Sequence, residues 1–351
     1  MSRRSGIRGN EKVAGWLFVG PMIVVLGLFL VLPIFMALWV SLLDWAPARG
    51  DPFSGGGEYV GTDNYRSLVA VDALTRTDFM KSMRNTFYYV LFVVPLQTTL
   101  ALFLAVVLNQ KRLRGKGFFR SAFYFPSVTS SVAISMVFLF LFLNNGGINK
   151  VLSWVGIDGP SWFSDANGVF HLLLGLVGVD QAPGALGANG VLGLSFWEWL
   201  SGPSVALCAI VLLVVWTTAG TFMLMFIAAL QDIPVEVDEA ALIDGATTWR
   251  KFRYVTLPQL KPVLFLVLTL GLIGTWQVFD QVYVMSEGNP DKTTLTPAFL
   301  SYRESFVSQN WGSGAAIAFV LFAVILLMTL IQRWVMRDKD EPRRGRRAVT
   351  A

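Results

Sequence analysis

The side chains that most often perform covalent or metal chemistry are scarce in this sequence. Histidine and cysteine occur once each, as His171 and Cys208. One histidine has no partner of its own type with which to hold zinc, and one cysteine cannot form a disulfide within the chain. Cys208 also lies inside a long apolar run. We therefore expect no zinc chemistry and no cysteine nucleophile, and we expect a structural or solvated role for His171.

Nucleotide chemistry is also missing from the sequence. No G-x-x-x-x-G-K-[ST] pattern occurs, and Gly115-Lys116-Gly117 has neither the spacing nor the preceding strand of a phosphate-binding loop. No set of nucleophile, base and acid is visible. The sequence therefore predicts a protein that is not an enzyme and that cannot hydrolyse ATP by itself.

Polar side chains do occur inside one apolar run, residues 262–285. They are Trp276, Gln277, Asp280 and Tyr283. In a helix, the spacing of three places Gln277 and Asp280 on one face, with the two aromatic residues alongside. Polar groups inside a membrane are expensive unless they face a cavity or a partner. This pattern favours a solute pathway, and packing between helices is the alternative.

A second apolar run, residues 205–230, carries Thr218 and Thr221 at the same spacing of three. Their hydroxyls suit a polar cavity. Threonine also hydrogen-bonds across helix interfaces, so packing is again the alternative interpretation.

The composition predicts that these runs cross a membrane. Hydrophobic residues make up 54% of the 351 residues and charged residues only 15%, against about 25% in soluble domains. A helix of roughly 20 apolar residues spans a bilayer, and the runs are continuous rather than alternating. We predict an all-α protein with six spans, near residues 13–43, 86–108, 118–143, 205–230, 262–285 and 315–336.

The distribution of positive charge predicts the orientation. Residues 1–12, 110–120, 231–261 and 333–351 hold 4, 5, 4 and 7 lysines and arginines, which is 20 of the 28 in the chain. With six spans these four segments share one side, which the positive-inside rule identifies as the cytoplasm. The net positive charge is thus explained without nucleic acid as a partner.

We accordingly divide the chain into a cytoplasmic segment 1–12, a transmembrane domain 13–336 and a basic cytoplasmic tail 337–351. Within the domain, residues 144–200 form a long external loop and residues 231–261 a cytoplasmic loop. The external loop has one apolar piece, residues 169–179, that is too short to span and indicates an interfacial segment. Its tryptophans suit a membrane interface or a protein contact.

The cytoplasmic loop has the start and stop signals of two short helices. Pro234 suits the first turn of a helix, and Gly245 suits a left-handed cap at its end. Thr247 or Thr248 can cap the second helix, before Leu257-Pro258 redirects the chain.

This loop resembles the EAA loop of ABC importer permeases, through Glu239-Ala240-Ala241, Gly245 four residues later and Leu257-Pro258. In that family the loop forms coupling helices that dock into a groove on the ATPase subunit. The resemblance implies that Glu239, Ala240, Ala241 and Gly245 make this contact. Asp244 either pairs with the ATPase or satisfies the helix end.

Three further stretches resemble carbohydrate-type permeases: 59–65 (YVGTDNY), 114–120 (RGKGFFR) with Pro126 beyond it, and 277–283 (QVFDQVY). Together they resemble the first permease of a maltose- or glycerol-phosphate-type importer, although residues 166–200 exceed the family's usual external loop. The resemblance implies the type I importer fold in a bacterial inner membrane. It also implies partners, namely a second permease, two ATPase subunits that hold ATP and Mg, an external solute-binding protein and a sugar. No cofactor is expected in this chain.

Two other functions compete with that of an importer permease. A self-contained secondary transporter or channel tends to have two related halves and ion-coupling acids inside its spans. No convincing repeat is visible, and Asp280 is the clearest such acid. A membrane enzyme needs clustered histidine, aspartate or glutamate at the interface, which one histidine does not supply. The sequence does not identify the solute.

Overall fold

The computed structural model describes residues 11–70, 74–110, 113–179, 182 and 184–337. Four two-residue strands form two small antiparallel pairs, β1 (Leu43–Asp44) with β2 (Glu58–Tyr59) and β3 (Gly190–Val191) with β4 (Leu194–Ser195). The helices in chain order are α1 (Glu11–Leu26), α2 (Leu32–Ser41), α3 (Asp63–Val69), α4 (Leu74–Asn109), α5 (Lys116–Val128), α6 (Ser131–Leu141), α7 (Gly147–Trp154), α8 (Val169–Gly175), α9 (Gly184–Ala188), α10 (Phe196–Trp199), α11 (Val205–Gln231), α12 (Val235–Ile243), α13 (Thr248–Lys251), α14 (Leu257–Gln259), α15 (Lys261–Trp276), α16 (Asp280–Met285), α17 (Pro297–Tyr302) and α18 (Trp311–Val335).

Within the described residues, four helical segments are long and apolar enough to cross a membrane. They are Gly15–Ser41, which joins α1 and α2 through a π-helical turn, and the helices α4, α11 and α18. Two bent pairs, α5 with α6 and the segment Thr248–Gln259 with α15, raise the number to six if each pair is one span. The chain is thus a multi-pass membrane protein, as the apolar runs predict.

The prediction of one continuous helix over residues 118–143 is wrong. The structure has α5 and α6 here, with a bend of 98° between them. Thr129 and Ser130 have ψ angles of 148° and 128°, so two consecutive residues leave the helical conformation. The Thr129 hydroxyl donates to the Phe125 carbonyl at 3.0 Å and satisfies one group at the end of α5.

The prediction of one helix over residues 262–285 is also wrong. Helix α15 ends at Trp276, and α16 begins only at Asp280. Phe279, between them, has a non-helical backbone with φ −136° and ψ −61°. Pro258 does not redirect the chain either, because it lies in the first turn of α14, and the 69° bend comes between Gln259 and Lys261.

Contact density divides the chain into two units, and the first comprises the described residues up to Val69 with Ser301–Phe319. Here Leu43 pairs with Tyr59 in the β1–β2 ribbon. The Asn64 side chain donates to the Ser41 and Leu43 carbonyls, both at 2.9 Å, and so ties α3 to the end of α2.

The second unit comprises Ala70–Leu300 with the chain from Val320 onward, and its core is built on α4, α11 and α15. Ala101, Ala105, Phe226 and Val267 are buried in this core. Small residues allow the helices to approach closely. A side chain at Gly220 of α11 would collide with the backbone of α5, where the Tyr124 Cα would lie 3.0 Å from the added carbon.

Candidate functional site

A cavity of about 260 Å³ lies at the break between α15 and α16. Gln277 and Asp280 line it from the break itself, and Thr218 lines it from α11. Gln277 and Asp280 do not share a helical face, because α15 ends before the first and α16 starts at the second. The broken helix places both side chains at the cavity, although they do not have the helical spacing that the sequence predicts.

Two buried residues of α4, Gln97 and Tyr89, complete this cavity. The Thr218 hydroxyl donates to Gln97 Oε1 at 2.6 Å. Gln97 and Tyr89 are each 1% exposed, and within the described residues neither Gln97 Nε2 nor the Tyr89 hydroxyl has a hydrogen-bond partner. Buried donors in proteins are nearly always satisfied, so these two atoms point to a ligand or water in the cavity.

Sequence analysis missed both α4 residues. The available signal was the position of Gln97, an amide inside the apolar run 86–108. That signal alone does not separate a cavity from helix packing. The tertiary structure makes this distinction, because Gln97 and Gly271 of α15 line the same cavity. A side chain at Gly271 would collide with the Gln97 amide, so the glycine allows α15 to come close to Gln97.

A second cavity of about 260 Å³ shares Thr218 and Gln281 with the first. Thr221 lines it from α11 and Ser131 from the start of α6. The two cavities together expose hydroxyl and amide groups next to both helix breaks.

Trp276 and Tyr283, the two aromatic residues predicted for the solute pathway, lie away from these cavities. Trp276 is 2% exposed and packs in an apolar cluster with Val90, Val94 and Leu321. Tyr283 stacks on Phe279 with ring centroids 5.6 Å apart and is 44% exposed. In the described part of the chain, neither side chain lines the two cavities.

The loop 231–261, which is predicted to be cytoplasmic, contains two short helices, α12 and α13. Gly245 follows α12 with φ +71°, and its amide donates to the Leu242 carbonyl at 3.1 Å. Thr247 caps α13, since its hydroxyl accepts from the Arg250 amide. The predicted left-handed glycine and the threonine cap are both present.

The α12–α13 segment offers a mixed surface. Of the five predicted contact residues, Ala241 is buried, whereas Glu239, Ala240, Asp244 and Gly245 are not. Large apolar side chains stand beside them in solvent: Leu242, Ile243 and Trp249 are 64%, 86% and 68% exposed. Exposed apolar groups of this size mark a contact with another molecule.

His171 belongs to the long loop 144–200, which is predicted to be external, and contacts an aromatic ring. It stacks on Trp197 with centroids 4.2 Å apart, and its Nε2 lies 3.0 Å from the Trp197 carbonyl oxygen. Partial burial lowers the pKa of His171, and the charge of Arg84 lowers it further, against the opposing effect of the bond to Trp197. Within the described residues, no group of three metal-ligating side chains occurs.

Comparison with known families identifies the class of this protein. Residues 97–340 match the family model described as the inner membrane component of binding-protein-dependent transport systems. The match covers more than half of the chain, so the chain belongs to this family. It is the permease component of a binding-protein-dependent importer and is a transport subunit rather than an enzyme.

Relatives align over nearly the whole chain. The lactose transport system permease protein LacF of Rhizobium radiobacter is 30% identical, with 96% of this chain and 98% of the relative covered. The arabinooligosaccharides transport system permease protein AraP of Bacillus subtilis is 30% identical over 94% and 91%. The trehalose/maltose permease protein MalF of Thermococcus litoralis is 28% identical over 96% and 98%.

A solved structure has the same fold. The bacterial ABC transporter involved in the import of the acidic polysaccharide alginate superposes with a TM-score of 0.70, over 94% of this chain and 97% of that one. The identity is 18%, so the likeness shows the fold alone, that of a type I ABC importer permease.

Proposed function

We propose that this chain forms one half of the translocation pathway of an ATP-driven importer for a sugar, a related polyol or an oligosaccharide. The observation that carries this proposal is the pair of unsatisfied buried donors, Gln97 Nε2 and the Tyr89 hydroxyl, at a cavity that also contains Gln277 and Asp280. Sugar hydroxyls accept and donate hydrogen bonds, so a sugar passing through the cavity satisfies groups that are otherwise unpaired.

The relatives support a sugar as the solute. Those named for lactose, arabinooligosaccharides and trehalose/maltose align with 94–96% of this chain and with 91–98% of their own length. The cavity adds independent support, because amide and hydroxyl groups recognise a polyhydroxylated solute better than an apolar one.

The partners in this proposal are a second permease, two ATPase subunits and an extracytoplasmic solute-binding protein. ATP and Mg belong to the ATPase subunits, and this chain carries no cofactor. Glu239, Ala240, Ala241, Asp244 and Gly245 form the contact with the ATPase. The exposed Leu242 and Ile243 support this role, because they would be buried in a groove.

The proposed topology places both termini, the basic segments and the α12–α13 loop in the cytoplasm, and residues 144–200 outside. The distribution of lysine and arginine supports it. Cysteines placed at Ser5 and Thr350, which lie outside the described residues, test it in a Cys208→Ser background. An impermeant thiol reagent applied to intact cells should label neither, and labelling of either one contradicts the topology.

Sugar uptake by a Gln97→Leu variant tests the proposed function. The chain is expressed with the genes that neighbour its own, and uptake of a panel of labelled neutral saccharides is measured in intact cells. We expect at least one saccharide to accumulate, and we expect Gln97→Leu to lower its uptake about tenfold, which corresponds to about 1.4 kcal/mol.

The matched control is Gln332→Leu, which removes another partly buried amide, on α18 and away from both cavities. It should leave uptake near the wild-type level at equal amounts of protein in the membrane. Failure to transport any saccharide contradicts the proposed solute. An equal loss in both variants contradicts the proposed pathway.

A further inference from the structure

The two cavities beside the helix breaks have one charged side chain, Asp280, among the described residues that line them. The other polar side chains there carry amide or hydroxyl groups, such as those of Gln97, Gln277 and Thr221. Asp280 is exposed, so a solute in the first cavity can reach its carboxylate. The described lining residues therefore present negative charge to a solute and no positive charge.

Positive charge is also absent from the stretches of sequence that form these cavities. Four stretches contain no lysine or arginine, namely 85–110, 121–149, 196–249 and 262–291. Every residue that lines either cavity lies within one of them. On α5, Arg120 precedes Pro126 by roughly 9 Å of helix rise. On α4, Arg84 lines a separate cavity and donates to the Glu198 carbonyl at 3.0 Å and to Asn85 Oδ1 at 2.9 Å.

The Asp280 carboxylate has no cationic partner among the described residues. It accepts a hydrogen bond from the Ser131 hydroxyl, which is neutral, and it forms no ion pair there. A carboxylate has about four lone-pair sites, so Asp280 can also accept from the hydroxyls of a solute. Gln97 Nε2 and the Tyr89 hydroxyl are unpaired donors at the same cavity. A neutral polyhydroxylated solute can thus both donate and accept hydrogen bonds in this cavity.

An anionic solute meets the opposite situation. Its carboxylate, sulfate or phosphate loses water, finds no cation among the described lining residues and is repelled by Asp280. Amide and hydroxyl donors replace part of the lost hydrogen bonding but supply no opposite charge. The solved transporter of the same fold is involved in the import of an acidic polysaccharide, so the fold itself does not exclude anions. Selection by charge must come from the side chains at the cavity.

We propose that Asp280 acts as a charge filter, which admits saccharides without negative charge and rejects those that carry a carboxylate, sulfate or phosphate. The inference rests on the proposed function, because it requires a saccharide to pass through the first cavity. It adds the charge class of that saccharide and the residue that sets it. The variant Asp280→Asn isolates the charge, since the amide oxygen of asparagine can still accept the Ser131 hydroxyl.

Saccharide binding to the assembled transporter tests the filter. The full chain is purified with the membrane subunits that accompany it and is placed in lipid nanodiscs. The soluble binding protein is left out, so that its own selection does not enter. Neutral mono- and disaccharides, each paired with its uronate, are titrated, and dissociation constants are measured by saturation-transfer NMR.

We expect at least one neutral saccharide to bind to the wild type and its uronate to bind about tenfold more weakly. In Asp280→Asn this ratio should fall to about threefold or less, through tighter binding of the uronate. Equal binding of the two solutes to the wild type overturns the filter, although the proposed function stands. An unchanged ratio in Asp280→Asn, with or without an equal loss of both solutes, shows a positioning role and also overturns it.

The matched control is Asp232→Asn, which removes the same charge at the end of α11. Asp232 is not among the described residues that line either cavity, so this variant should keep the wild-type ratio. A ratio that falls equally in both variants shows a general effect of net charge and overturns the filter. If neither class of saccharide binds to the wild type, the proposed function fails, and the filter fails with it.

Discussion

Ser131 donates a hydrogen bond from its hydroxyl to Oδ2 of Asp280, 149 residues further along the chain. Each of the two is the first residue of the helix that follows a break, Ser131 in α6 and Asp280 in α16. The bond therefore joins the two interrupted helices at the place where both leave the helical path. Asp280 also lines the first cavity and Ser131 the second, so the same contact lies between the two polar compartments.

The Ser131–Asp280 bond should couple the two breaks during transport. A hydrogen bond of this kind contributes about 1 kcal/mol, and we expect Ser131→Ala and Asp280→Leu each to reduce solute uptake roughly fivefold. If the bond is the common cause, the double variant is no worse than the more severe single one. Uptake rates at equal membrane abundance measure this.

Ser153→Ala is the control for the Ser131 and Asp280 variants, because the Ser153 hydroxyl donates to the Lys150 carbonyl of its own helix. It should transport normally. Fully additive losses in the double variant contradict the coupling.

Gly220 should be essential for the packing of α11 on α5. Gly220→Ala places a methyl group against the backbone of Phe123 and Tyr124, and backbone cannot yield as a side chain does. We expect a loss of about 1–3 kcal/mol in stability, read as a lower apparent melting temperature of the purified protein. Gly117→Ala, in α5, meets nothing within 4 Å and should not lower that temperature, since alanine favours a helix over glycine. Equal melting temperatures for wild type and Gly220→Ala contradict the packing argument.

Gly245 should be needed for the turn between α12 and α13. A β-branched residue at φ +71° is strained by about 1–3 kcal/mol, so Gly245→Val should displace α13 and weaken association with the ATPase. Gly245→Asn should retain association, since asparagine tolerates this conformation. Co-purification of the ATPase measures the effect.

Gly156→Val is the control, because it introduces the same backbone strain at a glycine far along the chain from the α12–α13 turn. Gly156 has φ +76° and open space around it, but it belongs to the segment predicted outside. This variant should keep the ATPase bound. Full ATPase association in Gly245→Val would show that the turn is not part of the contact.

The segment around His171 should lose stability in acid. The pKa of His171 is lowered from its ordinary value near 6.5, so the unfolded segment binds the proton more readily than the folded one. The stability contribution is complete above pH 6.5 and declines as the pH falls through that value toward the lowered pKa. Amide hydrogen exchange of residues 144–179 should therefore speed up between pH 7 and pH 5, after correction for intrinsic rates.

His171→Gln should remove this pH dependence. Lys81, Arg84, Glu198 and Asp291 line the same small cavity as His171 and remain in the variant. An unchanged pH profile in His171→Gln assigns the effect to one of those groups and contradicts the role of the histidine.

Some features follow from local sequence alone. The apolar runs predicted a multi-pass helical protein because lipid requires every backbone group to be satisfied within the segment. The start of α12 at Pro234 and the α12–Gly245–α13 turn were also predicted, since proline, glycine and threonine act on the backbone within a few residues of themselves. The resemblance of Glu239-Ala240-Ala241 to the EAA loop predicted the permease family, and the family match over residues 97–340 confirms that prediction.

Other features were decided only by the tertiary structure. The run 262–285 is predominantly apolar, and nothing in its periodicity marks the interruption at Gln277. That interruption separates Trp276, which packs in a core, from Asp280, which meets Ser131 on a distant helix. Gln97 likewise became a cavity residue only because Gly271 lets α15 come close. Sequence determines which segments enter the membrane, because burial in lipid is a property of each segment. Which polar side chains share a cavity depends on contacts between segments that lie far apart in the chain.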